Sequence, residues 1–192
     1  MKKLSLYIFL VLMFCNLSLS EDSKKDFEIE GIPLGSSLLE YMSEEEIKQS
    51  LVLVYPGEEK FALSVYKKSY GMYNMGIGIE YRLTDKTYKI HGVQARMSFK
   101  NNIEDCYIKQ NEIDAFFSQL IEISKGKIKK SGIRPFEKGS TFKQTQFRFD
   151  NGVLISTSCI NYLHKPELNH LKISRTSKLL QEFLIKITPQ TQ

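Results

Sequence analysis

The stretch that decides the fold is FKQTQFRFDNGVLISTSCINY, residues 142–162, because it predicts a β-hairpin whose register follows from the sequence. Two strands of alternating apolar residues meet across Asp-Asn-Gly at 150–152. A two-residue loop would pair Phe149 with Leu154, whereas a three-residue loop, with its glycine in the left-handed conformation, pairs Phe149 with Val153. Only the second register places on one face Phe147, Phe149, Val153, Ile155, Thr157 and Cys159. A slip by one residue would expose that whole set, so we predict the three-residue loop.

Four further strands are predicted on either side of this hairpin, from apolar residues that alternate with polar ones. They cover residues 61–66, 77–83, 88–99 and 170–174. In the third of them the apolar side changes near Gly92, which predicts a β-bulge. The short polar link at 84–87 is typical of a hairpin loop, so the first three of these strands are expected to form an antiparallel meander.

Helices are predicted before, between and after these strands. Two short helices follow Gly35, and the second begins with a capping box formed by Ser43 and Glu46. A long helix at 103–123 carries an apolar stripe at helical spacing, namely Ile103, Cys106, Tyr107, Ile113, Phe116, Phe117, Leu120 and Ile121. A final helix from Thr176 is predicted to bury Leu179, Leu180, Phe183, Leu184 and Ile187. The fold class is therefore predicted to be α+β, with an antiparallel sheet built from two helix-plus-three-strand halves and the helices packed on one face.

The first twenty residues predict a cleavable export signal. Lys2 and Lys3 precede an apolar run that is too short to span a bilayer comfortably, and small residues precede a cut after Ser20. The alternatives are an uncleaved anchor and a lipid on Cys15, behind the bulky Phe14. We expect a periplasmic or secreted protein with no stable membrane insertion after cleavage. Its parts are a signal peptide at 1–20, an N-terminal extension at 21–30, one domain at 31–187 and a frayed tail at 188–192.

The charge of the chain argues against a nucleic-acid partner. The formal net charge is +5 in 192 residues, which is mildly basic, whereas nucleic-acid binding normally requires a clustered basic face. One lysine cluster occurs, at Lys125, Lys127, Lys129 and Lys130. We interpret it as a solvated helix end and loop, since lysines favour the negative end of a helix dipole. An acidic partner or a lipid headgroup is the alternative.

Two cysteines remain once the predicted leader is removed, Cys106 on the long helix and Cys159 on the hairpin. Each lies on the apolar face of its element, and an even count in an oxidising compartment favours a disulfide. The alternatives are two buried free thiols or a reactive pair, although redox pairs usually have the closer spacing C-x-x-C. We predict a structural disulfide that links the long helix to the sheet.

No catalytic, cofactor-binding or metal-binding motif is found in the sequence. The histidines, His91, His164 and His170, lack the spacing of zinc ligands, and the chain has neither a G-x-S-x-G turn nor a phosphate-binding glycine loop. We therefore predict no catalytic residue, no cofactor and no metal.

The best candidate for a binding surface is a loop rich in tyrosine and methionine. Its residues are Tyr66, Tyr70, Met72, Tyr73 and Met75. Soft and aromatic side chains of this kind suit binding. The alternative is that they belong to the core and to a hairpin, because tyrosines commonly pack in sheets.

Two stretches resemble small exported proteins of uncharacterised function from marine alphaproteobacteria. They are EIEGIPLGSSLLEYMSEEEIKQS at 28–50 and FDNGVLISTSCINY at 149–162, together with a late LKIS strand. This resemblance implies no activity. The two short helices before a three-stranded meander are also similar in topology to outer-membrane-assembly lipoproteins of the BamE type and to β-lactamase-inhibitor-like modules. Those are binding and scaffold proteins, although topology alone does not carry function.

We expect an exported, non-catalytic binding or interaction module of the cell envelope, whose partner is an unknown envelope protein or a small ligand. Two alternatives stay open. A small periplasmic hydrolase with a carboxylate/histidine site would need a pocket lined by groups such as His91 or Glu80. A small-ligand carrier would use the tyrosine-rich loop at 66–81, with an apolar pocket beneath residues 70–75.

Overall fold

A computed structural model describes residues 27–67, 72–100, 102–136 and 139–187 of the chain. The predicted export signal, the tail at 188–192 and Tyr70 lie outside these residues. The described strands are β1 (Leu51–Val54), β2 (Phe61–Lys67), β3 (Ile77–Arg82), β4 (Ile90–Ser98), β5 (Lys127–Lys130), β6 (Arg134–Pro135), β7 (Thr141–Arg148), β8 (Leu154–Asn161) and β9 (His170–Thr176). The described α-helices are α1 (Glu44–Gln49), α2 (Ile103–Ile123) and α3 (Lys178–Ile187).

All nine strands belong to one antiparallel sheet. Their order across the sheet is β1-β2-β3-β4-β9-β8-β7-β5, and β6 pairs with β7 outside this path. The prediction of an α+β chain with an antiparallel sheet is confirmed. The prediction of two halves with three strands each is wrong, because the sheet is continuous and also contains β1, β5 and β6.

The additional edge strands have sequences that do not alternate. The four residues of β1 are all apolar, and they follow directly after the capped helix α1. The lysines of β5 were interpreted as a helix end and loop, but Lys127–Lys130 pairs with β7. An edge strand has a partner on one side only, and when it is exposed on both faces its sequence shows no period of two.

The helices pack on opposite faces of the sheet, so the prediction that they share one face is wrong. Helix α2 covers the main core, to which Ala62 and Ala95 contribute. Helix α3 instead packs Leu180 and Phe183 against Phe61, in a second and smaller cluster. Neighbouring residues of a strand point to opposite faces. Ala62 therefore contributes to the main core, and Phe61 contributes to the second cluster.

The hairpin has the predicted register. Phe147 is opposite Ile155, and the backbone N–H of Phe149 donates to the Val153 carbonyl at 2.9 Å. Gly152 has a φ of 82°, the left-handed conformation that this loop requires. The β3–β4 pairing also shifts beside Gly92, where Glu80 is opposite Gly92 and the next pair is Tyr81 with Ile90. The predicted bulge is therefore present.

The ends of α2 agree with the sequence, whereas its buried side agrees only in part. The helix spans the predicted residues, and its buried residues are Cys106, Gln110, Asp114, Phe117 and Ile121. Phe116, which was expected in the stripe, is 43% exposed. Phe27 packs against Phe117 and Ile29 is buried in the core, so residues that the sequence places before the domain pack against it. Among the described residues, no helix is both long and apolar enough to cross a membrane.

Candidate functional site

One face of the sheet, the one that α2 does not cover, is polar. We call it the polar face. It is formed by Gln94 and Arg96 of β4, Lys172 and Ser174 of β9, Ser156 and Ser158 of β8, and Gln144 and Gln146 of β7. The residues between them, such as Ala95, Ile173 and Thr157, are buried on the α2 side. Antiparallel sheets often have one core-facing and one solvated side, and here α3 covers only the end of the solvated side.

Side chains of the polar face form hydrogen bonds with one another, both between neighbouring strands and along one strand. The bonds join Ser156 to Ser174 (2.8 Å), Gln144 to Ser158 (3.1 Å), Gln146 to Gln144 (2.9 Å) and Arg96 to Gln94 (3.0 Å). Each of these pairs lies on adjacent strands or two residues apart on one strand. The network holds hydroxyl and amide groups in fixed positions, which is the arrangement of a pre-organised polar surface.

A buried carboxyl lies where the polar face meets α3. Glu80 is 5% exposed and accepts a hydrogen bond from the Tyr55 hydroxyl at 2.5 Å. Burial raises the pKa of Glu80, although the hydrogen bond from Tyr55 and the charges of Lys172 and Arg96 act in the opposite direction. Burial likewise lowers the pKa of Lys172, and the Arg96 charge adds to that effect. The charge of Glu80 acts in the opposite direction on the pKa of Lys172, so Glu80 and Lys172 each favour the charged form of the other.

His170 lies at the other end of the polar face and is buried. Its ring stacks on Tyr162, and Nδ1 lies 2.8 Å from the Leu168 carbonyl oxygen, to which it donates. Burial, with a smaller contribution from Arg96 and Lys172, lowers the pKa of His170 to about 4.

The low pKa of His170 predicts a loss of stability in acid. Well above pH 6.5 the imidazole is neutral in both the folded and the unfolded chain, so it has no effect. As the pH falls towards 4, the unfolded chain binds a proton that the folded chain does not, and this favours unfolding. Between pH 7 and pH 5 the expected loss is about 2 kcal/mol. Urea unfolding of wild type and His170→Gln at both pH values measures it; equal pH dependence in the two proteins would contradict it.

The first edge of the sheet is apolar and open. All residues of β1 are exposed, with Val52 the most exposed at 59% and Leu51 the least at 39%. The Tyr55 N–H donates to the Phe61 carbonyl at 2.9 Å. Since N–H and C=O groups alternate in direction along an antiparallel strand, those of the preceding Val54 point to the side that has no strand.

A shallow pocket lies beside β1 on the polar-face side. Its volume is about 150 Å³, and it is lined by Val52, Leu63, Val65, Met75, Gly76, Ile77, Gly78, Gln94 and Arg96. Small-molecule sites usually have volumes of roughly 300–1,000 Å³. The pocket is therefore large enough for one apolar side chain but small for a cofactor.

The structure separates the residues of the predicted binding loop. Tyr66 packs edge-on against Tyr41 on the α2 side, and Tyr73 packs against the same core; burial raises the pKa of Tyr73. Met75 lines the pocket beside β1, and Met72 is exposed. Tyr66 and Tyr73 thus pack on the α2 side, whereas Met75 lies on the polar-face side.

The groups named for a hydrolase, Glu80 and His91, have different hydrogen-bond partners. Glu80 is enclosed with Tyr55, and His91 packs against Phe61 with Nδ1 3.2 Å from the Ser177 hydroxyl. Burial lowers the pKa of His91. Neither residue lines the pocket beside β1. Within the described ranges, no three His, Cys, Asp or Glu side chains are grouped closely enough to hold a metal ion.

Two features fasten α2 to the sheet. A disulfide joins Cys106 to Cys159, with 6.0 Å between their Cα atoms, as the sequence predicted. About two turns further along, the Asp114 carboxylate accepts hydrogen bonds from the hydroxyls of Thr145 (2.6 Å) and Thr157 (2.5 Å). Gln110, between them, donates to the Thr157 carbonyl at 3.2 Å. This polar cluster was not predicted, because only apolar residues were used to define the stripe.

The polar face and the open edge of β1 were also not predicted as sites. The alternation of Gln144, Gln146, Ser156 and Ser158 in the hairpin was a usable signal, whereas the pairing of β4 with β9 depends on strand order. The family resemblance of residues 28–50 and 149–162 stays a prediction. Compared with protein-family models, curated proteins and solved structures, the chain shows no match to any of them.

Proposed function

We propose that the chain is an exported, non-catalytic binding module of the cell envelope that adds an extended segment of a partner protein as a further strand beside β1. The observation that carries this proposal is the open edge of β1, which is apolar and uncharged. In strand addition, main-chain hydrogen bonds provide affinity, and pockets for alternate side chains provide specificity.

The contrast between the two ends of the sheet supports this use of β1. Natural proteins protect exposed edges with charged side chains, above all lysine, because an open edge pairs with other chains. The edge strand β5 has lysines at three of its four positions, Lys127, Lys129 and Lys130, whereas β1 has no charged residue. Only the β5 edge therefore carries that protection.

The free side of β1 offers both parts of a strand-addition site. The main-chain groups of Val54 point away from β2, so they are free to bond to an added strand. The pocket lined by Val52, Leu63 and Val65 lies beside this edge. It would receive an apolar side chain of the partner, whose alternate residues would then point to the α2 side.

A partner protein fits this edge better than a second copy of the chain. Pairing of β1 with β1 would bring together only four residues from each copy. Stable interfaces usually involve about 20–30 residues on each side. A longer partner segment can extend past β1 over the pocket, so a moderate affinity and a monomeric chain are expected.

Export rests on two independent features. The N-terminal sequence predicts a leader cut after Ser20. The disulfide between Cys106 and Cys159 belongs to oxidising compartments such as the periplasm or the extracellular medium. Both support placing the module outside the cytosol.

Site-specific photocrosslinking in the producing cell tests the proposed edge. A photoreactive amino acid in place of Val52 is expected to give one discrete product with another protein. The same residue in place of Ile123, which is 81% exposed at the end of α2, is the matched control and should give none. Adding Val54→Lys should remove the product, because a lysine on the edge blocks pairing.

The outcomes of this experiment separate the alternatives. Val54 is exposed, so Val54→Lys should change the free energy of unfolding by less than about 0.5 kcal/mol, and thermal unfolding checks this. A product that is a dimer of this chain, equal products from both positions, or a product that persists with Val54→Lys would each overturn the proposal.

A further inference from the structure

We propose that the polar face binds an acidic polysaccharide, laid across the strands from β4 to β5. This ligand is distinct from the protein partner of β1. The inference rests on the positions of the cations of this face, on the hydroxyl and amide groups between them, and on the scarcity of acidic groups.

The first observation is a pair of like charges on adjacent strands. Arg96 and Lys172 are register partners in the β4–β9 pairing, so their side chains leave the same face from directly opposed positions. Like charges opposed in this way destabilise a sheet. In the described part of the chain, neither residue forms an ion pair within 4 Å with a carboxylate. An anionic group bound between them would relieve their repulsion.

The second observation is the excess of positive charge on this face. Opposite Arg148 and Gln146, the strand β5 adds Lys127 and Lys129 to the same face, and Arg134 lies opposite Phe142. Within the described sheet between β3 and β5, the carboxylate on this face is Glu80, which is buried and hydrogen-bonded to the Tyr55 hydroxyl and so is not presented to a ligand. The field over the face is therefore positive, although the whole chain is only mildly basic.

The third observation is that the cations lie at two ends of a neutral polar row. From Lys172 the row continues through Ser158 and Gln144 to Ser131, whose N–H donates to the Gln144 carbonyl. A second shallow pocket, of about 110 Å³, lies at the far end and is lined by Lys129, Ser131, Arg134, Phe142, Gln144 and Gln146. With strands about 4.8 Å apart, β4 and β5 are separated by roughly 19 Å.

These groups match an acidic sugar chain better than other polyanions. Serine hydroxyls and glutamine amides both donate and accept hydrogen bonds, so they complement sugar hydroxyls, while the cations at the ends complement uronate or sulfate groups. Single-stranded nucleic acids are usually held by aromatic side chains on which bases stack. Between Lys172 and Gln144 the described row presents no aromatic ring.

Calorimetric titration of the mature chain with a uronic-acid oligosaccharide of about six sugars tests the proposal. Binding is expected, and it should weaken as salt rises, because screening reduces attraction between exposed charges. Arg96→Gln and Lys172→Gln should each raise Kd by about tenfold, as expected for a charge-assisted hydrogen bond. Lys86→Gln removes the same charge from an exposed position in the β3–β4 loop and should leave Kd unchanged.

Three comparison ligands make the result decisive. A neutral oligosaccharide of the same length, a thymidine oligonucleotide and a short poly-glutamate should each bind at least about tenfold more weakly. No binding of the acidic sugar, equal binding of any comparison ligand, or equal effects of Lys86→Gln and Lys172→Gln would overturn the proposal. Thermal unfolding confirms that each variant is folded, and Val54→Lys should bind the sugar normally, which separates this site from the β1 edge.

Discussion

Replacing Cys106 and Cys159 together by alanine is expected to lower the free energy of unfolding by about 4 kcal/mol. The disulfide joins residues 53 positions apart, so it removes many conformations from the unfolded chain. A typical domain is stable by about 5–15 kcal/mol, and the variant should therefore be close to its limit at 37 °C. Urea unfolding with linear extrapolation measures the change.

Reduction of the wild-type chain is the matched control for this variant. It opens the disulfide but leaves both sulfur atoms in the core, where Cys106 and Cys159 are fully buried. The reduced protein should lose about as much stability as the alanine variant. If the variant is destabilised and the reduced protein is not, the loss comes from packing, and the stabilising role of the cross-link is wrong.

Asp114→Ala is expected to cost about 3 kcal/mol, the second largest effect. The carboxylate accepts hydrogen bonds from the hydroxyls of Thr145 and Thr157 beneath α2. Hydrogen bonds to a charged group contribute about 1.5–3 kcal/mol each, and removing Asp114 leaves the buried hydroxyl protons of Thr145 and Thr157 without their acceptor. Denaturant unfolding at pH 7 measures the loss.

A triple variant separates this polar cluster from simple packing. Thr145→Val and Thr157→Val, combined with Asp114→Ala, remove all three polar groups, and such exchanges are often nearly neutral. The triple variant should therefore be more stable than Asp114→Ala alone. Glu122→Ala, at an exposed position of the same helix, should change stability by less than about 0.5 kcal/mol. A triple variant less stable than the single one would contradict the assignment.

Local patterns of the sequence predicted the parts of the fold that depend on neighbouring residues. The loop at Gly152 and the pairing of Phe147 with Ile155 were predicted because one register buries the apolar residues and the other exposes them. The capping box of Ser43 and Glu46 was also predicted and is present in α1, where the Ser43 N–H donates to Glu46 at 2.8 Å. Both features involve residues a few positions apart, so the interactions that stabilise them lie within short segments of the sequence.

The features that sequence patterns missed depend on distant segments. The edge strand β1 is exposed on both faces, so burial imposes no alternation on its sequence. The placement of α3 on the second face follows from Phe61, and an alternating strand does not show which of its faces a distant helix will cover. Asp114 was missed because a buried polar residue breaks the apolar stripe, and its acceptor role depends on Thr145 and Thr157.

The candidate sites could not be predicted from the sequence because they too depend on distant segments. Arg96 and Lys172 become neighbours only because β4 pairs with β9, and nothing in either strand specifies that pairing. The tyrosine-rich loop was chosen on side-chain type alone, and the structure distributes Tyr66 and Met75 over opposite sides of the sheet. Composition indicates which residues can bind, whereas strand order determines which of them meet.

The central place of β9 in the sheet has a consequence for biogenesis. This strand is the last of the described strands along the chain, yet it lies between β4 and β8. Until residues 170–176 have been synthesised, β4 and β8 both lack the strand that joins them, so each has an unpaired border. Unpaired borders of this kind invite aggregation. We therefore expect the sheet to be completed only when β9 inserts between β4 and β8, and removal of residues 170–176 to leave both borders open.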